Sequence, residues 1–240
     1  CIAGILCYPM WMIVSDLSAT FPVGTFFGDY SVAVDQLTAV FVSLSSLVFL
    51  MVMVHMSHSG HSHPSEFSAL ACALYISCTL FTMADSVILL LISWEIVSMV
   101  TFLMAEDRDN APRWRFFAIT HVGGLLLMVV YAYMWSVAGT GDTGSWEGLG
   151  AAMGPVGEAV AISLLFIGFG TKLGMVPFHA WMPDMYARSP THTTALLTTV
   201  CSSAAELVLY RTSRGSAHGG ARRGRRGPPT IRASRRTASP

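Results

Sequence analysis

The sequence VILLLISWEIVSMVTFLMA at residues 87–105 is the clearest sign of the solvent in which this protein folds. A helix needs about 20 mostly apolar residues to cross the hydrocarbon core of a bilayer, and this stretch has that length. Its residues are apolar on both faces, whereas a membrane β-strand alternates apolar and polar residues over about ten positions. Backbone groups in lipid must pair within their own segment, so residues 87–105 predict a transmembrane α-helix.

Six further apolar stretches lie along the 240 residues. Together they predict an all-α fold, a polytopic membrane helix bundle of about seven transmembrane helices, with one helix broken near Lys172. The first stretch is short and begins abruptly without an initiator Met, so we expect the chain to start before residue 1. The six stretches are Cys1–Val14, Leu37–Met56, Phe67–Met83, Phe116–Val137, Ala159–Pro177 and Thr193–Tyr210.

The composition agrees with a membrane protein. Apolar residues make up 53% of the chain and charged residues only 12%, against about 25% in an ordinary soluble domain. These values exclude a disordered chain, a domain made basic throughout to bind nucleic acid, and a small disulfide-stapled secreted fold. Five Cys without a CxxC motif argue against an iron–sulfur or zinc framework, and we expect no cofactor in this chain.

The formal net charge of zero hides two regions of different character. Residues 1–210 carry all 14 acids with four Arg and one Lys, whereas residues 211–240 carry nine Arg and no acid. We therefore predict a transmembrane domain over 1–210, truncated at both ends, and an Arg/Gly/Pro-rich disordered tail over 211–240. Arg, Gly, Ala and Pro are encoded by GC-rich codons, which favours a frame-shifted tail. The alternative is a real basic tail that binds anionic lipid or nucleic acid.

The connections between the apolar stretches predict their orientation. Three of the four Arg of the first 210 residues lie in residues 106–115, and the positive-inside rule places that loop in the cytoplasm. Alternation then puts residues 57–66 and 180–192 on the same side and residues 15–31 and 138–158 on the opposite side. The nine Arg of the tail fall on the outer side, which conflicts with the same rule.

Glu95 is the first candidate functional residue. It is the ninth of 19 residues in its stretch, near the bilayer centre, with Ser98 one turn away on the same face. An ionisable group there costs about 2.5–3.5 kcal/mol on insertion scales and indicates function. The alternative is a protonated Glu that makes one interhelical hydrogen bond.

Lys172 is the only Lys of the chain, and it lies inside the apolar sequence GFGTKLGMVPFHAWMP at residues 168–183. Three Gly and two Pro weaken the helix around it, and broken membrane helices let water or ions approach. A buried Lys releases its proton more readily than an exposed one, so the position favours proton transfer. The alternative is a Lys that reaches from the end of the stretch to the membrane interface.

The histidines are weaker candidates. His121 and His179 can relay protons near neutral pH, although a structural hydrogen bond explains either one equally well. Cys72 and Cys78 are expected to be free thiols. A loop with the spacing HxxHxxHxH is a weak candidate for binding a divalent metal, because no carboxylate or Cys accompanies it at ligand spacing. Its members are His55, His58, His61 and His63.

Three sequences resemble a known family, the antiporter-like proton-translocating membrane subunits of respiratory complex I, membrane-bound hydrogenases and formate hydrogenlyase, and multisubunit Na⁺/H⁺ antiporters. LLLISWEIVSMVTFLM at 89–104 resembles the helix that carries the family's membrane glutamate. GFGTKLGMVPFHAWMPDMYARSPTHTTALLTTV at 168–200 is similar to its long lysine-bearing signature. FFAITHVGGLLL at 116–127 looks most like the hydrogenase and formate hydrogenlyase branch. The resemblance covers roughly residues 30–201.

The resemblance implies a function as well as a fold with broken helices. Glu95 matches the membrane glutamate and Lys172 the lysine of the broken helix, a pair whose separation is thought to gate proton movement. Pairing stabilises both charges, and separation favours the neutral forms. One departure concerns the following helix, where Ser203 stands in place of a further base of the relay.

The resemblance therefore predicts proton translocation by a subunit of a redox-driven complex of the hydrogenase/formate hydrogenlyase or NADH–quinone oxidoreductase type. Any electron transfer is expected in partner subunits, since the chain has no redox motif. The expected partners are other membrane subunits and the lipid bilayer, without nucleic acid, in a prokaryotic cytoplasmic membrane. The alternatives are a subunit of a multisubunit cation/proton antiporter and a structural membrane subunit that transports nothing.

Overall fold

The computed structural model describes residues 19–25, 28–58, 64–105 and 111–217. Long helices dominate, and they are joined by short connections and preceded by one β-hairpin. The elements are β1 (Ala19–Thr25), β2 (Gly28–Val34), α1 (Gln36–His58), α2 (Pro64–Met83), α3 (Val87–Met104), α4 (Ala111–Ala138), a 3-10 helix (Thr143–Ser145), α5 (Leu149–Leu173), a second 3-10 helix (Phe178–Trp181), α6 (Met182–Arg188), α7 (Thr191–Leu196), a π-helical segment (Leu197–Cys201) and α8 (Ser202–Ala217).

Six segments of the described chain are long and apolar enough to cross a membrane, so the predicted polytopic helix bundle is confirmed. The first predicted stretch, Cys1–Val14, lies outside the described residues. The shortest span, of 18 residues, is about 27 Å long at a rise of about 1.5 Å per residue. The six segments are Gln36–His58, Ser65–Met83, Val87–Met104, Ala111–Ala138, Leu149–Arg188 and Thr191–Arg214.

The interior of the bundle is a single large cluster of apolar side chains from all the long helices. Trp94, Leu127, Leu165 and Phe169 are almost fully buried at its centre. The outward faces also carry large apolar side chains, as expected for helices whose outer solvent is lipid. Examples of these exposed side chains are Met51, Ile76, Leu125, Val129 and Val160.

A β-hairpin that the sequence did not predict stands before α1. Strands β1 and β2 pair antiparallel, with Ala19 opposite Val34 at one end and Thr25 opposite Gly28 at the other. Strand β2 also pairs with the turn between α2 and α3, where Val32 lies opposite Ala84. The two strands pair with each other, and backbone contacts of β2 with residues 84–85 attach the hairpin to the bundle; the search for long apolar stretches does not detect such short strands.

The turn between α2 and α3 is tied to two neighbours through its backbone. The Asp85 N–H donates to Ser31 O at 3.1 Å, and the Val87 N–H donates to Gly141 O at 2.9 Å. Thr143 donates through its N–H to Asp85 O at 2.8 Å and through its hydroxyl to the Asp85 carboxylate at 3.0 Å. Partial burial raises the pKa of Asp85, and the Thr143 hydrogen bond opposes but does not cancel that effect.

Arg211 ties α8 to the beginning of α1. Its guanidinium donates to Thr82 O at 2.8 Å and also binds the Asp35 carboxylate and the Thr38 hydroxyl. Burial raises the pKa of Asp35, but hydrogen bonds from Thr38 and the Arg211 charge outweigh it, so the pKa lies below its usual value. The boundary predicted after residue 210 thus falls within α8, which runs from Ser202 to Ala217; residues 218–240 lie outside the described part.

The two ends of the bundle carry different groups, as strict alternation of the spans requires. Asp35, Asp85 and Arg211 lie at one end, together with the 139–146 connection. At the other end Arg115 and Asp184 form an exposed ion pair at 2.8 Å. The chain is an integral membrane protein whose connections fall on alternate sides, and the assignment of the Arg115 end to the cytoplasm stays a prediction.

Candidate functional site

The helix that carries Lys172 is broken one residue after it, as predicted. Helix α5 ends at Leu173 because Gly174 adopts the left-handed conformation, with φ 65°, and its N–H bonds back to Gly170 O. The Met175 N–H donates to the same Gly170 oxygen at 2.9 Å. A 3-10 helix follows, and its last residue, Trp181, donates from its indole to Thr171 O at 2.8 Å. Gly170 O and Thr171 O, two of the carbonyls at the broken end of α5, therefore have partners.

Lys172 points into the bundle rather than to the membrane interface. Its side chain is only 5% exposed, and Nζ donates to Ser98 Oγ at 2.9 Å and to Trp94 O at 3.4 Å. Nζ also lies 4.3 Å from the centroid of the Trp94 ring, a cation–π distance. These contacts replace water around the ammonium group with a hydroxyl, a carbonyl and a ring from α3.

Glu95 projects from the same turn of α3 toward α4. Its Oε2 lies 3.1 Å from Nε2 of His121, and the two side chains are 41% and 35% exposed. In the part of the chain that the structure describes, no hydrogen bond or ion pair joins Glu95 to Lys172. The Glu–Lys pair implied by the family resemblance stays a prediction, whereas the direct partner of Glu95 in this arrangement is His121.

The tautomer of His121 determines how many protons the pair holds. His121 Nδ1 lies 3.0 Å from Phe117 O, and because a carbonyl only accepts, Nδ1 must carry a proton. Nε2 and the Glu95 carboxyl then share a single proton, either as neutral imidazole with carboxylic acid or as imidazolium with carboxylate. Glu95 and His121 together therefore form a group that can hold or release one proton.

Two consecutive glycines bring three helices together at this level. A Cβ at Gly124 would lie 2.6 Å from Oε1 of Glu95 and 3.1 Å from Nε1 of Trp94, so a larger residue there would displace the Glu95 carboxyl. A Cβ at Gly123 would lie 1.9 Å from Oγ1 of Thr171 and 2.8 Å from O of Gly168, on α5. The sequence VGGL shows the small residues, but only the structure shows that each faces a different neighbour.

Substituting Gly123 by alanine is expected to destabilise the bundle by about 1–3 kcal/mol, because the new methyl overlaps α5. Gly170→Ala is the matched control, since its Cβ would meet nothing closer than Met175 at 3.6 Å. The control should change stability by no more than about 1 kcal/mol, in the stabilising direction. Thermal unfolding of both variants in detergent measures the difference, and equal midpoints would show that the close approach is wrong.

A small cavity of about 10 Å³ adjoins Lys172, room for about one water molecule. Polar groups in its wall come from Thr101, Tyr186, Cys201 and Ser202. The hydroxyl of Thr101 is buried without a hydrogen-bond partner in the structure.

The other predicted residues lie away from this centre. His179 is exposed in the 3-10 helix after the break, and His55 and His58 are exposed at the end of α1. His61 and His63 lie outside the described residues. Among the described residues, no group of three or more His, Cys, Asp or Glu is placed to hold a metal ion.

Ser203, where the resemblance leads us to expect a further base, bonds only within its own chain segment. Its hydroxyl donates to the carbonyls of Thr199 and, at 3.3 Å, Val200. Ser203 therefore does not supply the further proton-accepting side chain that the family resemblance leads us to expect in this helix.

A family model described as "NADH:quinone oxidoreductase/Mrp antiporter, TM" matches residues 84–219. The matched range is more than half of the chain, and it contains Glu95, His121 and Lys172 with all of the contacts described for them. The cysteine at position 201 and the broken helix also fall within it.

Curated relatives and solved structures agree with that match. NADH-quinone oxidoreductase subunit N of Deinococcus radiodurans is 29% identical over 177 residues, 71% of this chain and 36% of the relative. Hydrogenase-4 component B of Escherichia coli is 29% identical over 185 residues, 72% of this chain and 27% of the relative. A chain of the Mrp complex from a Dietzia species has the same fold, with a TM-score of 0.78 at 23% identity over 89% of this chain and 25% of that chain. This chain thus spans about a third of the length of these curated relatives.

Proposed function

Because the chain belongs to the NADH:quinone oxidoreductase/Mrp antiporter family of membrane proteins, we propose that it translocates protons as the antiporter-like subunit of a redox-driven complex. The complex is of the hydrogenase/formate hydrogenlyase or NADH–quinone oxidoreductase type, in a prokaryotic cytoplasmic membrane. Its other membrane subunits are the partners of this chain, and its redox chemistry takes place in them.

The arrangement around α3 is the observation that carries this proposal. One turn of that helix supplies Glu95 to His121 on α4, and Trp94 and Ser98 to Lys172 on α5. The Glu95–His121 pair and Lys172 thus lie on two sides of the same turn of α3, at the same depth in the membrane. A small movement of α3 changes the surroundings of both, and each responds by taking up or releasing a proton.

The charges of the two groups favour an ordered transfer. When the Glu95–His121 pair releases its shared proton, the pair carries a net negative charge, and that charge stabilises the ammonium form of Lys172. Loss of the contacts to Ser98 and Trp94 leaves a buried ammonium without partners, and the group then releases its proton. Alternation between these arrangements moves one proton at a time past the level of α3.

The exposure of the Glu95 and His121 side chains supports the proposal that this chain is one subunit of a larger membrane complex. Ionisable groups at mid-membrane face protein or a water-filled cavity rather than hydrocarbon. The two side chains are 41% and 35% exposed in the isolated chain, so this side of α3 and α4 is covered by a neighbouring membrane subunit in the proposal.

Replacing His121 by glutamine tests the proposal, because Gln keeps a hydrogen bond to Glu95 but cannot accept the shared proton. We expect proton uptake by inverted membrane vesicles containing the assembled full-length protein to fall by about 10²-fold. His55→Gln, at an exposed position on α1, should leave uptake unchanged. Normal uptake and an unchanged pH profile in His121→Gln would exclude the pair from the proton path.

Exchange of protons for a second cation is the second candidate, since the description of the matched family also includes the Mrp antiporter. Uptake that requires Na⁺ on the opposite side of the vesicle membrane, without a redox substrate, would favour this candidate. Uptake that requires the redox substrate and is indifferent to Na⁺ would favour the first.

A further inference from the structure

Two buried thiols from distant parts of the sequence touch each other beside the proposed proton site. Sγ of Cys78, on α2, lies 3.7 Å from Sγ of Cys201, at the end of the π-helical segment. The residues are 2% and 5% exposed, and both are free cysteines. The proton path proposed above uses neither of them.

The π-helical segment connects this thiol pair to Lys172. Leu197, Cys201 and Ser202 all line the small cavity next to the Lys172 side chain. The wider π turn is uncommon and occurs mostly as single turns within α-helices, frequently at functional sites. Movement of Cys201 toward or away from α2 therefore changes the wall of the cavity.

We propose that Cys78 and Cys201 form a modification site, which a small hydroperoxide closes to a disulfide, and that closure slows proton transfer at Lys172. Formation of the disulfide does not depend on transport, whereas its effect on proton transfer rests on the proposed function. A disulfide needs its sulfur atoms about 2.05 Å apart, so closure brings them together by roughly 1.7 Å. That movement draws the π-helical segment toward α2.

The chemistry has two balanced steps. Cys201, reacting as its thiolate, attacks one peroxide oxygen; the O–O bond breaks, and the leaving alkoxide or hydroxide takes up the proton lost by the thiol. Cys201 is then a sulfenic acid. The Cys78 sulfur attacks it, the S–O bond breaks, and water leaves with the proton of Cys78. Two electrons pass from the thiols to the peroxide, and the products are one disulfide, one water and one alcohol, or a second water from hydrogen peroxide.

Cys201 is placed to react first, because it lines the cavity and Cys78 does not appear in its wall. The cavity has room for a molecule of about the size of water, which suits hydrogen peroxide better than a bulky oxidant. Cys72 lies on the same helix as Cys78 but is exposed and, among the described residues, is not in contact with a second thiol. It therefore serves as an internal control for oxidation of a cysteine without such a neighbour.

The test treats membranes containing the assembled full-length protein with hydrogen peroxide, blocks remaining thiols, and maps the cysteines by mass spectrometry. We expect a peptide pair joined through Cys78 and Cys201, a free Cys72, and loss of more than half of the proton uptake, restored by dithiothreitol. Cys72→Ala should behave like the unsubstituted protein. Cys78→Ala and Cys201→Ala should form no linked pair and keep their uptake under peroxide.

Two results would overturn the inference. One is alkylation of both Cys78 and Cys201 after peroxide treatment, which needs no variant and so does not depend on how the substitutions fold. The other is a linked pair with unchanged uptake, or an equal peroxide effect in Cys78→Ala. Absence of uptake in untreated membranes would instead contradict the proposed function, while the mapped linkage decides the thiol chemistry separately.

Discussion

Replacing Lys172 by methionine is expected to lower proton translocation by about 10²-fold or more, because the side chain keeps its length but loses its exchangeable proton. The fold should persist: Ser98 Oγ, which accepts from Lys172, also donates to Trp94 O at 3.0 Å and so keeps a partner. Proton uptake by inverted vesicles, normalised to the amount of assembled complex, measures the loss. Redox turnover of the complex is expected to survive in part.

The variant Lys172→Arg separates the two roles of the residue. Arginine keeps the positive charge but does not release its proton in proteins, so a role in proton transfer predicts loss of uptake in this variant as well. A purely structural cation would be replaced by Arg at least in part. Uptake near the normal rate in Lys172→Arg would therefore contradict the assigned role.

Glu95→Gln is expected to produce a loss of similar size. The amide matches the shape of the carboxylic acid and still reaches His121 Nε2, but it cannot pass from a charged to a neutral form. The change also removes the negative charge that favours the ammonium form of Lys172. We expect uptake to fall by about 10²-fold at every pH tested, with normal assembly of the complex.

Glu66→Gln is the control for Glu95→Gln, since Glu66 lies exposed in the first turn of α2. It removes the same charge from the chain without touching the contact between Glu95 and His121, and its proton uptake should be normal. Full coupled pumping by Glu95→Gln, or equal losses in the two variants, would remove Glu95 from the proposed path.

The membrane spans and the broken helix follow from the sequence because each depends on local composition. Apolar stretches of sufficient length form helices in lipid, because the backbone groups must pair within the segment. Gly174 and the prolines that follow it end the helix that carries Lys172. Glu95 and Lys172 stand out for the same reason, as ionisable groups in apolar surroundings. The family resemblance read from residues 89–104, 116–127 and 168–200 is confirmed by the match over 84–219.

The pairing of side chains is not local, and the sequence predicts it less well. His121 was a candidate relay residue, but its contact with Glu95 depends on how closely α4 approaches α3 at Gly124. The contact between Cys78 and Cys201 joins residues 123 positions apart. The hairpin before α1 is held by backbone bonds that no side-chain pattern specifies.

Backbone hydrogen bonds at the start of α3 fix one end of the helix that contacts both His121 and Lys172. Val87 is held by Gly141, and the preceding Asp85 by Ser31 and Thr143. Ser98 lies eleven residues farther along, about 16 Å from that fixed end, so a tilt of about 4° would shift it by about 1 Å. Such a shift would break the 2.9 Å hydrogen bond between Ser98 and Lys172 while the beginning of α3 stays in place. A tilt about that fixed end would therefore displace the turn that carries Glu95 and Ser98 more than it displaces the beginning of α3.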